Sequence, residues 1–427
     1  MIGRLKELLS ANRLVSDFGV LSLGRLFASG IGFLIGVVIA RGLGPESFGN
    51  YSIVIVIFEI SVVFTELGLG TAIPKFIPRH LIQDKNKADY YLMISFWIVL
   101  LTSSSVFLLG YFLAPFIAHG VYAKPELLTP VRLGFLAVIG GSLWGYFLSN
   151  IQGRERFKVY AAFSVIINLI KITVIYGLYA LGLLSLANLL LVQFAAPLLG
   201  FLLGNRSVPT RFLGVKGELK PALKELFEFS KWILLIDVAV MLFSRLDILM
   251  LGYFSDERTV GYYSAAFTLI YVFTILTSSL GNVLLPMVSK LSQAHEFKTY
   301  MKRIIPISLS LCLLLSPMFY FIDPIVHFVF GEVYASSILI FRIMFFGILF
   351  NLLVEPVYLV AYADGKPNII SRVALLKLFF NFISNLVLIP PFGAVGAAVA
   401  TIITNVAGGL IALHFIHREI LNKPAAN

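Results

Sequence analysis

The sequence predicts an all-α integral membrane protein of about twelve transmembrane helices, set out as two pseudo-symmetric six-helix bundles with a central cavity. Three observations predict it. The chain is 59% hydrophobic and only 13% charged, with a mean hydropathy of +0.93, well beyond an ordinary soluble domain. Apolar runs of about twenty residues, the length that crosses a hydrocarbon core of about 30 Å, follow one another through almost all of the 427 residues. A fixed offset of 212 residues lays the second half of the sequence on the first.

The spans are expected near 15–40, 50–73, 90–118, 130–152, 158–181 and 183–204, then 229–254, 260–285, 304–330, 336–363, 368–390 and 394–416. Helices rather than barrel strands fit these lengths, because each helix satisfies its own backbone hydrogen bonds in lipid. Ahead of the first span, Leu5, Leu8 and Leu9 predict an amphipathic helix on the membrane surface. No removable signal peptide is expected, since no short apolar core with a small-residue cleavage site appears there. The single cysteine, Cys312, excludes an internal disulfide.

The net charge of +11 is distributed by topology. Twenty-three Lys and Arg fall in the termini and in alternate connections, among them Lys75, Arg79, Lys85 and Lys87, while four (Arg41, Lys124, Arg132, Arg258) fall on the opposite side. The positive-inside rule then places both termini in the cytoplasm of a multi-pass plasma or inner membrane protein. A nucleic-acid partner is not expected, and the chain is expected to be a monomer.

The 212-residue offset brings "PESFGNYS" onto "ERTVGYYS", superposing Gly49 on Gly261, Tyr51 on Tyr263 and Ser52 on Ser264. It also matches Pro74 to Pro286, and Gly153 and Arg154 to Gly365 and Lys366. One unchanged shift across separated landmarks argues for duplication. An even number of helices per half relates the halves by an axis along the membrane normal, with a cavity between them. The expected division is a bundle at 1–204, a basic cytoplasmic linker at 205–228 and a second bundle at 229–427.

"ARGLGPESFGNYS" (40–52) and "LGLGTAIPKFI" (67–77) resemble the opening of the oligosaccharide flippase family, the O-antigen flippases of the multidrug/oligosaccharide-lipid/polysaccharide exporter superfamily. "NIQGRERF" (150–157), "RLDILMLGYF" (245–254) and "LVLIPPFGAVGAAVAT" (386–401) are similar to later stretches of that family in the same order. The resemblance implies a V-shaped pair of six-helix bundles that moves a polyprenyl-diphosphate-linked oligosaccharide from the cytoplasmic to the outer leaflet. Glycan-assembly enzymes are the expected partners besides the bilayer, and no cofactor is expected.

Charges inside the membrane are the candidate site. An ionised side chain at a helix centre costs about 2.5–3.5 kcal/mol on insertion scales, so such residues face protein or water. Arg25 shares a face of the first span with Ser22 and Ser29, and the offset lays it on Asp237, which suggests an opposite-charge pair between the halves. Asp237, Ser244, Arg245 and Asp247 cover an arc of roughly 160° on the seventh span. Glu59 and Glu66 are seven residues apart on one side of the second. Ser164, Asn168 and Lys171 form one polar stripe, Lys377, Asn381 and Asn385 another, and Arg342 and Glu355 lie on the tenth span.

A diphosphate needs cations, and its sugars need amides or hydroxyls. Arg25 and Arg245 are therefore the first candidates for the diphosphate, followed by Lys171, Lys377 and Arg342, with Asn168 and Asn381 for the sugars. Glu59, Glu66, Asp237 and Asp247 are candidates for coupling to a proton or sodium gradient, because buried carboxylates can exchange a cation. Structural ion pairing, interhelical anchoring and snorkelling are the alternative roles for the same residues. His414 and His417, with no nearby carboxylate or cysteine, do not make a metal site.

A cation-coupled multidrug antiporter of the same superfamily is the nearest rival function; its cavity would favour carboxylates and aromatics over these cations. A membrane polysaccharide polymerase or ligase is the rival of a different class. The outward connections are too short to hold a catalytic constellation, and no Walker-type glycine loop points to ATP.

Overall fold

A computed structural model describes residues 2–288, 290, 291, 294–363 and 367–418. The Gly365–Lys366 landmark and the side chains of Leu5, Leu8, Leu9 and Pro286 lie outside the described residues. Among these residues the long elements are all helices: α1 (Ile2–Glu66), α2 (Leu69–Gln83), α3 (Lys85–Pro115), α4 (Leu128–Gly153), α5 (Phe157–Ala180), α6 (Leu186–Ser207), α7 (Leu219–Phe254), α8 (Glu257–Val288), α9 (Ala294–Leu315), α10 (Met318–Phe330), α11 (Ser337–Ala363) and α12 (Pro367–Ile416).

Two of these helices each hold two passes. Gly44 breaks α1 with φ 72° and ψ 169°, and Pro45 restarts the helix in the first position, where its missing N–H costs nothing. Gly393 breaks α12 with φ 54° and ψ −132° just after Pro390 and Pro391. At 212 residues beyond Gly44 stands Asp256, whose carboxylate accepts the Thr259 backbone N–H at 2.8 Å and caps α8. The same turn is thus built by a glycine in one repeat and by a capping aspartate in the other.

Seven helical stretches are long and apolar enough to cross a membrane, or eight when the α9–α10 pair, bent by 45°, is taken as one span. Counting α1 and α12 as double passes and adding α7 and α8 makes about twelve. α7 falls outside the seven because Lys231, Asp237, Arg245 and Asp247 interrupt its apolar run.

The chain divides into two compact units, residues 1–42 with 54–238 and residues 43–53 with 239–427. In the first unit α4 packs against α2, α3 and α6. Small residues permit this, as lipid offers no hydrophobic drive between helices: Gly110 lies on the Phe135 ring, Gly140 on the Phe194 carbonyl and Gly204 on the Phe147 ring. The stretch expected to be a linker packs into this unit. Trp97 Nε1 donates to the Phe212 carbonyl at 2.9 Å, and Asn150 Nδ2 donates to Thr210 Oγ1 at 2.7 Å. Tyr91 donates to Glu225, and Lys75 Nζ stands 3.5 Å from the Phe229 ring centre.

In the second unit α11 packs against α8, α9 and α12. Its most informative contact joins residues 43–53 to the start of α8. A Cβ on Gly49 would collide with the Glu257 carbonyl, and one on Gly261 with the Pro45 carbonyl. Adding 212 to Pro45 and Gly49 gives Glu257 and Gly261, so each contact is the image of the other. Arg258 Nε donates to Glu46 Oε2 at 3.3 Å across the same crossing, again with a separation of 212.

Candidate substrate and ion sites

The first unit contains a cavity of about 280 Å³ that draws on α1, α4 and α5. Gly24 approaches Ala161 so closely that no side chain would fit between them, and this brings the neighbouring Arg25 over α5. The Arg25 guanidinium carbon lies 5.5 Å from the Tyr160 ring centre, and the side chain is exposed. Ser164, Asn168 and Lys171, at positions i, i+4 and i+7, line the cavity with it, and Trp144 of α4 closes one wall.

Lys171 Nζ donates to Gln193 Oε1 at 3.0 Å, a single neutral partner on α6. Asn168 Nδ2 donates to the Ser164 carbonyl at 3.0 Å, so its amide oxygen is left for another donor. The arrangement puts two cations, an amide, three hydroxyl groups (Ser29, Ser164, Tyr160) and two aromatic rings around one hollow. Chemically it can hold a phosphorylated, hydroxyl-rich headgroup.

The second unit contains a different polar centre. Asp247 of α7 is 6% exposed, and three neutral groups donate to its carboxylate. Tyr263 O–H donates to Oδ2 at 2.5 Å, Thr401 O–H to Oδ2 at 2.6 Å and Asn385 Nδ2 to Oδ1 at 2.5 Å. The same Asn385 nitrogen donates to Asn381 Oδ1 at 3.1 Å. Among the described residues, Asn385 Oδ1 and Asn381 Nδ2 are buried without a hydrogen-bond partner. A buried carboxylate held by three neutral donors, with an unused amide oxygen beside it, is suited to taking up a proton or a small hard cation.

The other sequence candidates are placed as follows. The Arg25–Asp237 pair is corrected: the two form no ion pair among the described residues, and Arg25 lies over Tyr160 instead. Asp237 is exposed on α7. Glu66 lies against Gly145 of α4, and Glu59 is half-buried. Arg245 lies 5.0 Å from the Phe267 ring centre. Lys377 lies 4.7 Å from that of Phe243, with its stem on Gly408.

Arg342 is engaged elsewhere. Its Nη2 donates to Asp323 Oδ1 at 2.7 Å and its Nε to the Phe319 carbonyl at 3.3 Å. Arg154 of the "NIQGRERF" stretch serves the fold: its Nε donates to Asn150 Oδ1 at 2.9 Å, and Asp89 lies 3.5 Å away. Tyr263 and Thr401, which carry no charge to mark them in the sequence, lie inside "ERTVGYYS" and "LVLIPPFGAVGAAVAT" and join the Asp247 cluster.

An all-helical chain with about twelve passes is a multi-pass membrane protein. The chain matches the model of the family described as polysaccharide biosynthesis protein over residues 38–339, and it belongs to that family. An uncharacterized membrane protein of Methanocaldococcus jannaschii is 23% identical over 94% of this chain and 84% of its own. A putative O-antigen transporter of Shigella flexneri is 23% identical over 91% of this chain and 95% of its own. A probable low-salt glycan biosynthesis flippase of Haloferax volcanii is 26% identical over 46% of this chain and 43% of its own.

Two solved structures share the fold. A lipid II flippase in an inward closed conformation has a TM-score of 0.75 at 16% identity, covering 93% of this chain and 87% of its own. A multidrug resistance transporter of the MATE family in an inward-facing conformation has a TM-score of 0.73 at 14% identity, covering 93% and 96%. The chain is thus a multi-pass membrane protein of the polysaccharide biosynthesis family.

Proposed function

We propose that this protein flips a polyprenyl-diphosphate-linked oligosaccharide from the cytoplasmic to the outer leaflet by alternating access. The observation that carries the reading is the cavity in the first unit, where Arg25 and Lys171 supply positive charge beside Asn168, Ser164, Tyr160 and Trp144. The arginine takes the diphosphate, since its planar fork matches phosphate oxygens two at a time. Lys171 exchanges its single bond to Gln193 for the charged headgroup. The amide and hydroxyls receive sugar hydroxyls, and the Trp144 and Tyr160 rings offer flat apolar faces to the sugar rings.

A proton or sodium ion at Asp247 drives the return of the empty carrier. Tyr263, Thr401 and Asn385 reach Asp247 from α8 and from both passes of α12, so occupation of that carboxylate bears directly on how these helices pack. The inward closed and inward-facing forms of the two solved transporters support a cycle of alternating states. Both termini face the cytoplasm, by the distribution of Lys and Arg, and the bundles act as a monomer.

Depletion of the protein tests the reading. Lipid extracts should accumulate a diphosphate-linked glycan confined to the inner leaflet, and complementation with Arg25→Ala should leave it there. A second reading, export of cationic drugs, is favoured by the likeness to the multidrug transporter and by the carboxylate of the second unit. Sensitivity to cationic drugs without any trapped lipid-linked glycan would replace the first reading with the second.

A further inference from the structure

The second unit has another hollow, of about 470 Å³, between the end of α8 and the first turns of α9. One end is apolar. Leu284 and Ile304, each 5% exposed, form its floor, and Met287 and Ile307, 58% and 51% exposed, open its sides. The other end is polar, with His295, Thr299, Tyr300 and Arg303 around the mouth. The transport reading above uses none of these residues.

We propose that this trough is a binding site for an anionic membrane phospholipid of the cytoplasmic leaflet, chain in the apolar end and phosphate at the mouth. The division of the lining matches an amphiphile. The Thr299 hydroxyl is already spent on the His295 carbonyl at 2.9 Å, so the phosphate donors are Arg303 and the His295 ring.

Charge selects the headgroup. Between residues 290 and 303 stand Lys290, Lys298, Lys302 and Arg303 against one acid, Glu296, which is itself at the mouth. A basic rim of this kind attracts anionic lipid and is indifferent to zwitterionic lipid. Glu296 limits the affinity, and its neutralisation strengthens binding. The chain in the trough also distinguishes a lipid from a free anion, because phosphate alone gains nothing from Leu284, Met287 and Ile307.

Native mass spectrometry of the full-length protein in detergent, titrated with phosphatidylglycerol, phosphatidylcholine and inorganic phosphate, tests this. Phosphatidylglycerol is expected to bind at least tenfold tighter than phosphatidylcholine, and millimolar phosphate should not displace it. Arg303→Gln should weaken binding about fivefold, the equivalent of about 1 kcal/mol. Glu296→Gln should tighten it, Ile307→Trp should abolish it by filling the trough, and Arg258→Gln, at the opposite end of α8 from the trough, should leave it unchanged. Thermal unfolding of each variant without lipid separates lost binding from lost folding. Equal affinity for the two lipids, displacement by free phosphate, or an equal loss in Arg258→Gln overturns the proposal.

Discussion

Replacement of Arg25 separates the proposed transport role from a structural one, because the structure sets different sizes for the two effects. The side chain is exposed, and its described contact is the Tyr160 ring at 5.5 Å. A cation–π contact at an exposed site is worth about 0.5–1 kcal/mol, so Arg25→Ala should cost the fold no more than about 1 kcal/mol. Against a diphosphate, two charge-assisted hydrogen bonds are lost at about 1.5–3 kcal/mol each. The smaller sum, about 3 kcal/mol, is roughly a hundredfold in kcat/KM. Arg25→Lys keeps the charge and loses the paired geometry, so a loss of about tenfold is expected. The assay is the initial flipping rate of a fluorescent polyprenyl-diphosphate glycan in proteoliposomes, read by protection from a membrane-impermeant quencher. Wild-type rates in Arg25→Ala, or a fall in rate matched by an equal fall in unfolding temperature, would refute the assignment of Arg25 to the headgroup.

Four further outcomes are expected. Tyr263→Phe and Thr401→Val each withdraw a donor from the buried Asp247 carboxylate; each should cost about 1.5–3 kcal/mol, and the stabilisation of the protein by the coupling ion, read by thermal unfolding, should fall in both. Gly261→Leu and Gly49→Leu place side chains where the Pro45 and Glu257 carbonyls stand, so both should sharply reduce folded protein in the membrane fraction, and normal abundance would contradict the crossing. Arg258→Ala removes an ion pair whose side chains are 65% and 61% exposed, so unfolding should change by less than about 1 kcal/mol. Arg342→Ala should leave flipping rates intact, since that guanidinium is committed to Asp323 and the Phe319 carbonyl; a loss as large as that of Arg25→Ala would return it to the site.

Hydropathy made the helices legible, because each pass must be both apolar and long. The breaks were partly legible: Gly44 before Pro45, and Gly393 after two prolines, carry their conformational reasons in the sequence. The stripe of Ser164, Asn168 and Lys171 was visible as helical spacing, but Trp144 was not, since only packing of α4 against α5 brings it to the cavity. Asp247 stood out as a charge in an apolar run. Its partners Tyr263 and Thr401 did not, because neutral residues in membrane helices give no charge signal. The expected Arg25–Asp237 pair failed for a simple physical reason: a repeat offset equates positions, and equivalent positions need not be neighbours. The partner of Arg342 was not legible, because its acid, Asp323, belongs to a different helix, α10.

What the two repeats keep and what they change follows one rule. Pro45 and Gly49 recur as Glu257 and Gly261 in mirrored contacts, where only the absence of a Cβ permits the backbones to meet. Backbone geometry at that crossing is under the same steric constraint in both copies, so the glycine persists while its partner position holds Pro45 in one copy and Glu257 in the other. Polar side chains in the bundles carry no such shared constraint. Arg25 has Asp237 as its equivalent, and Asp247 has Ile35, so the cation cavity of the first unit and the carboxylate centre of the second are not copies of one ancestral site. A carrier whose cargo is anionic and whose coupling ion is cationic needs opposite charge in two places. Divergence of duplicated helices around a fixed backbone is a direct way to obtain it, and under the proposed function it accounts for why the retained half of the symmetry is steric and the lost half is electrostatic.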